Sequence, residues 1–218
     1  MIRNLFLYRK PDKKYKFELS EKGSEKDETV PFMEYVSKDI NVNLEYVKNV
    51  FTQEKNGDIV IREFDVCIDD ELIKGFIVCA DGLVGSGDIN KSILMPLMYL
   101  SDFKRRRGET VEDYIFRRLM PHSQISKCRE TNKLLKTVNY GNCAVFIDTL
   151  EVGFLADTKD WDHRSVGEPL NETVIQGPHE GFNEMFRANT GLIRKSLNTQ
   201  NLIMENVKLG KTSQTSAA

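Results

Sequence analysis

Two stretches of the sequence carry residues whose types and spacing could do chemistry. The first is ADGLVGSGDI, where Asp81, Gly82, Gly85, Gly87 and Asp88 follow the apolar run FIVCA and precede a helical apolar stripe. A glycine-rich loop at the carboxyl end of a strand can turn its amides toward an anion or small ligand. The glycines are not in the dinucleotide-binding order and no ribose-reading acid stands at the right distance, so the reading is a tight connection. A small-ligand site at these five residues is the alternative.

The second stretch is VIQGPHEGFNEMFRANTGLIRKSLNT, Val174 to Thr199. Pro178 suits the first turn of a helix, and Glu180 and Glu184 complement its positive dipole end, which opposes an anion site there. Phe182, Met185, Phe186, Ile193 and Leu197 predict the inward stripe. Asn183, Arg187, Thr190 and Arg194, spaced by four, three and four, then form a second line on which two arginines point the same way. With Glu180, these residues are the candidate partner-binding face.

Other signals fail on spacing. Gly210-Lys211-Thr212 would need a glycine where Glu205 stands and a helix afterwards to be a phosphate-binding loop. The run Lys104 to Arg107 lacks interleaved aromatics and is followed by acids, which argues against nucleic acid. His122, His163 and His179 fall in three separate loops with no metal or nucleophile-activating pattern. Cys67, Cys79, Cys128 and Cys143 include no CxxC pair and read as reduced, mostly buried thiols. No cofactor, metal or catalytic set is predicted.

Composition excludes little more. The chain has 218 residues, 29% of them charged, yet a formal net charge of only -2, so its overall field draws neither phosphate backbones nor basic partners. Its longest nearly continuous apolar run, Ile93 to Leu100, is far short of the ~20 residues of a bilayer-spanning helix. The start, MIRNLFLYRK, lacks the features of a secretory signal.

The elements that must position these residues follow from periodicity. A helix is predicted within residues 31 to 54, strongest after a cap at Asn43. The segment IVIREFDVCI alternates as a strand, and Phe76 to Ala80, apolar on both faces, reads as an interior one. Asp88 is placed as the cap of a helix with Ile89, Ile93, Leu97 and Leu100 on one stripe. Thr110 and Asp113 resemble a capping box before a helix that Pro121 ends. Residues 126 to 138 read as a further helix stopped at Gly141. CAVFIDTLEVGFLAD reads as a hairpin, the stretch around Trp161 as an ordered loop, and LIMENVKLG as an alternating strand. The fold class is α/β in the mixed α+β sense, a mixed β-sheet flanked by helices.

The order of words from Gly153 to Thr215 resembles the A subunit of GerA-type spore germinant receptors. The matching positions are Trp161, Arg164 to Val166, Glu168, Pro169, Gly177, Pro178, Glu180 to Phe182, Arg187, Asn189, Leu192 to Arg194 and Gly210. VIREFDV, ADGLV and INKSILMPLM are similar in kind to earlier family segments. His179 departs from the family's usual Arg.

The resemblance implies no enzyme chemistry. It implies the first subdomain of a two-subdomain soluble N-terminal region, in nutrient-triggered germination at the cytoplasmic face of the spore inner membrane. Expected partners are the B and C subunits and other A subunits, with a small nutrient germinant as a further candidate. Membrane attachment is expected only through a C-terminal region that this sequence lacks, which makes the chain read as a fragment or truncated product. The predicted division is a tail and leading helix over 1–42, the α/β subdomain over 43–212, and a tail over 213–218. A free-standing small-ligand-binding protein is the alternative.

Overall fold

The computed structural model describes residues 32–101, 105–160 and 181–218. Five strands form one sheet in the order β1-β2-β4-β5-β3. They are β1 (Ile59–Ile68), β2 (Glu71–Ala80), β3 (Ile125–Cys128), β4 (Asn142–Ile147) and β5 (Gly153–Asp157). Every neighbouring pair is antiparallel. The α+β class read from the sequence is the observed one.

Local chemistry accounts for the first hairpin. β1 and β2 stay in register from Ile59 opposite Ala80 to Ile68 opposite Glu71. Asp69 and Asp70 make the turn with φ of 53° and 68°, the pair of left-handed residues that lets a two-residue turn follow the strand twist. β2 is buried from Gly75 to Ala80 because it lies between β1 and β4, as its two-sided apolar pattern predicts.

One face of the sheet is covered by two interrupted helices. The first runs through α2 (Ser86–Ile89), a π-turn (Asn90–Leu94) and α3 (Met95–Tyr99); the second through α4 (Val111–Tyr114) and a π-turn (Ile115–Leu119). Pro96 has no N–H for the carbonyl one turn back, so the ladder of the first is altered where the sequence alone suggested one smooth helix. Ile89, Ile93, Leu97, Tyr114, Ile115 and Leu119 pack with Phe64, Val66, Ile77, Val145 and Phe154 in the core cluster.

Helices α1 (Ile40–Val50) and α5 (Thr131–Val138) lie against β2 and β4. Between those strands Phe76 and Phe146 stack with ring centroids 4.7 Å apart. A Cβ on Gly153 would come within 2.7 Å of Leu134 Cδ1, so a larger residue there would make the Leu134 side chain shift.

Thr110 caps α4 as expected, its hydroxyl accepting from the Asp113 amide at 3.1 Å. Lys127 on β3 reaches Glu112 at 2.7 Å and Asp113 at 2.9 Å. Burial works against the Lys127 charge, but the two carboxylates outweigh it and hold the ammonium above its ordinary value. The Asp113 carboxyl is lowered, chiefly by the hydrogen bond from Lys127 and then by Thr110.

Four sequence expectations are corrected. Asp39, not Asn43, caps α1 by accepting from the Asn41 amide; buried Asn43 instead exchanges hydrogen bonds with Ser37. Gly85 occupies the cap position of α2, and Asp88 stands inside its first turn. Ile125 to Cys128 is a strand, and the helix begins only at Thr131; four residues on a sheet edge carry too little alternation to outweigh a helical spacing that continues beyond them. Finally, the strand read over 202–209 is only β6 (Val207–Leu209), and it pairs with β7 (Thr215–Ala217), inside the predicted tail, rather than with the main sheet.

Candidate functional site

Helix α6 (Phe186–Ser196) brings the two candidate sets of residues into contact with each other. Gly82, with φ of +84°, and Gly191, in the middle of α6, meet backbone to backbone. A Cβ on Gly82 would lie 2.5 Å from the Arg187 carbonyl oxygen, and a Cβ on Gly191 would lie 2.5 Å from that of Gly82. Glycine at both positions is therefore required for the helix to seat on the loop. Asp81 accepts a 3.1 Å ion pair from Arg187 Nε, while Arg187 Nη1 donates to the Gly57 carbonyl at 3.2 Å.

Below this contact Arg194 is fully enclosed, as is Asp58. Arg194 Nε donates to Asp58 Oδ2 at 2.6 Å and Nη2 to Oδ1 at 2.8 Å, the two-pronged geometry that suits a guanidinium and a carboxylate. Nη1 reaches Asn139 Oδ1 at 2.9 Å and Nη2 the Leu202 carbonyl at 2.9 Å.

Asn56 extends the cluster along the segment that follows α6. Its amide nitrogen donates to Leu202 O and its oxygen accepts from the Met204 amide at 2.9 Å. Gly57 N donates to Met204 O at 2.8 Å. The cluster thus ties α6, the entry to β1, the end of α5 and the 202–206 segment together.

This geometry departs from the predicted sides of the helix: Phe186 and Ile193 of the predicted inward stripe are half-buried, but they are not its most enclosed positions. Thr190, Gly191 and Arg194 face inward, whereas Phe182, Met185 and Leu197, predicted to be buried, are 71%, 58% and 55% exposed. Thr190 donates to the Arg187 carbonyl at 3.1 Å. Asn183 accepts at Oδ1 from the Met185 amide and at its carbonyl from Asn189 Nδ2, so it organises the entry to the helix. Arg187 stays partly exposed, but Arg194 cannot belong to an outward ridge. The helix begins at Phe186 rather than at Pro178; Glu180 and the Trp161 loop lie outside the described residues.

Of the loop set, Asp81, Gly82, Gly85 and Asp88 make structural contacts, while Gly87 lies in α2 with open space where a Cβ would stand. The amides of Gly82, Leu83, Gly85 and Asp88 are engaged by Asp81, Ala80, Thr158 and Gly85 respectively. Asp88 accepts from the Ser92 hydroxyl at 3.1 Å and stands 3.3 Å from His122 Nε2. The sequence did carry a signal for the inward side of this helix. A glycine in mid-helix costs stability unless something approaches closely, and Gly191 sits on the same side as Arg187 and Arg194.

Among the described residues there is no group of three or more His, Cys, Asp and Glu placed to hold a metal ion, and no helix is long and apolar enough to cross a membrane.

An antiparallel sheet packed against helices and joined to α6 through a buried ion pair defines an α+β domain. Residues 45–218 match the family described as Bacillus/Clostridium GerA spore germination protein, and the chain belongs to that family. It is 31% identical over 181 residues to the uncharacterized membrane protein YfkQ of Bacillus subtilis (strain 168), covering 83% of this chain and 33% of that protein. It is 25% identical over 175 residues to spore germination protein KA of the same organism, covering 78% and 31%. The chain thus spans about a third of the length of these curated relatives.

The fold is similar to the crystal structure of the N-terminal domain of the A subunit of the Bacillus megaterium spore germinant receptor GerK3. The TM-score is 0.59 at 20% identity, over 85% of this chain and 65% of that one.

Proposed function

We propose that this chain acts as the N-terminal portion of a spore germination receptor A subunit, working by protein contact and signal relay at the spore inner membrane. The family match over residues 45–218 carries the reading. B and C subunits and other A subunits are its partners. Relay fits the wiring of α6, which is bonded to the loop after β2, to the entry of β1 and to the 202–206 segment.

Of the predicted docking residues, Asn183 and Arg187 keep exposed surface beside the partner face, while Thr190 and Arg194 frame it from within. The contact itself is assigned to Phe182 and Met185, before α6, and Leu197, at its end, which are left uncovered, since apolar side chains presented to water gain most from association. The test is made in the organism that carries the gene. Spores bearing Phe182→Ser, Met185→Ser and Leu197→Ser together are expected to hold normal amounts of the protein and to germinate more slowly on nutrient amino acids and sugars, read as loss of optical density. Wild-type germination at equal protein level would remove the proposal.

A further inference from the structure

The middle of the sheet holds two thiols that neither the family match nor the α6 cluster uses. The β2–β4 ladder runs from Gly75 opposite Ile147 to Val78 opposite Ala144. The pairing ends there, and the next position on each strand in the same register is a cysteine, Cys79 on β2 and Cys143 on β4. Directly opposed residues share a face, and both cysteines belong to the same core cluster. Cys79 is 4% exposed and Cys143 fully buried. The neighbouring Cys79 thiol, followed by burial, pushes the Cys143 thiol well above its ordinary value.

Across β4 the residue opposite Cys143 is Ala156, and across β2 the residue opposite Cys79 is Val60. The other two cysteines are placed differently: Cys67 is opposite Leu72, and Cys128 is opposite Gly153 with its thiol directed to the Glu130 carbonyl.

We propose that Cys79 and Cys143 form an oxidisable dithiol, which a hydroperoxide closes into a cross-strand disulfide joining β2 to β4. Opposed strand positions hold their Cβ atoms ~4.5–5.5 Å apart, close to the ~3.5–4.5 Å of a disulfide, so closure asks for little backbone movement. One thiolate sulfur attacks a peroxide oxygen and the O–O bond breaks. This leaves a sulfenic acid and a hydroxide that takes up a proton as water. The second sulfur then attacks the first, the S–O bond breaks, and the departing hydroxide leaves as water with the second thiol's proton. Two thiols are oxidised by two electrons in all, and hydrogen peroxide is reduced to two waters.

Only the thiolate attacks, and burial disfavours it. Closure is therefore slow and follows transient opening of the strands, while half-exposed Cys67 reacts sooner. The bond would close the loop from Ala80 to Asn142, which carries α2 to α5 and β3, and would restrict the unfolded chain.

The test uses the native chain exposed to hydrogen peroxide, with remaining thiols alkylated in denaturant at intervals and the digest read by mass spectrometry. A peptide pair joined through Cys79 and Cys143, released by dithiothreitol, is the expected product. A rise of the thermal midpoint should accompany it in the wild type and be absent in Cys79→Ala. Peptide mapping of the wild type stands without the variant. The proposal is overturned if both cysteines remain alkylatable after Cys67 is fully oxidised, if either joins a different cysteine, or if either goes on to a sulfinic acid unpaired.

Discussion

Arg194 is a guanidinium removed from water, and its place inside the protein depends on Asp58. Taking two charges out of solvent is repaid only by close geometry and further hydrogen bonds, which Asn139, Asn56 and Leu202 O provide. The consequence is asymmetric. Arg194→Met leaves Asp58 buried without its cation and should cost about 3–5 kcal/mol in denaturant unfolding. Adding Asp58→Leu to it should recover much of that loss, because the stranded charge is gone as well. If Arg194→Met unfolds within about 1 kcal/mol of the wild type, the ion pair is not what fixes the helix.

At the scale of elements, α6 is held by shape as much as by charge. Gly191 and Gly82 let two backbones come closer than any side chain permits. Gly191→Ala would favour an isolated helix, alanine being the better helix former. In this protein its methyl meets a backbone carbonyl, so the substitution should destabilise by about 1–3 kcal/mol. Thermal unfolding decides between the two effects, since a raised midpoint would mean the helix is not seated on the loop after β2. The same contrast separates the elements that sequence reading found from those it missed. β1, β2, β4 and β5 announce themselves by alternation or by two-sided apolar runs. β3 is a four-residue edge strand, and the inward side of α6 is set by a glycine contact that hydrophobic periodicity does not register.

For the molecule as a whole, the segment after α6 completes the fold rather than trailing from it. Leu202 and Met204 supply backbone partners to Arg194, Asn56 and Gly57, and Met204 is buried. Ending the chain after Thr199 removes those partners while leaving every strand of the main sheet in place. The shortened protein should keep its secondary structure by circular dichroism and lose several degrees of thermal stability. An unchanged midpoint would show that the segment rests on the fold without supporting it.

The sequence by itself determined the class of fold, the two hairpins, the Thr110 cap and the family, because each is written in residues close together along the chain or in an ordered series of motifs. Tertiary structure alone decided that Thr190, Gly191 and Arg194 of α6 face inward. Arg194 and Asp58 lie 136 positions apart, and Gly82 meets Gly191 across a comparable separation. A helix with an apolar stripe and a polar stripe is normally seated on the apolar one, as hydrophobic burial favours. Here a buried carboxylate and a glycine loop receive Arg194 and Gly191 instead, and no local pattern can disclose what stands on the other side of a contact.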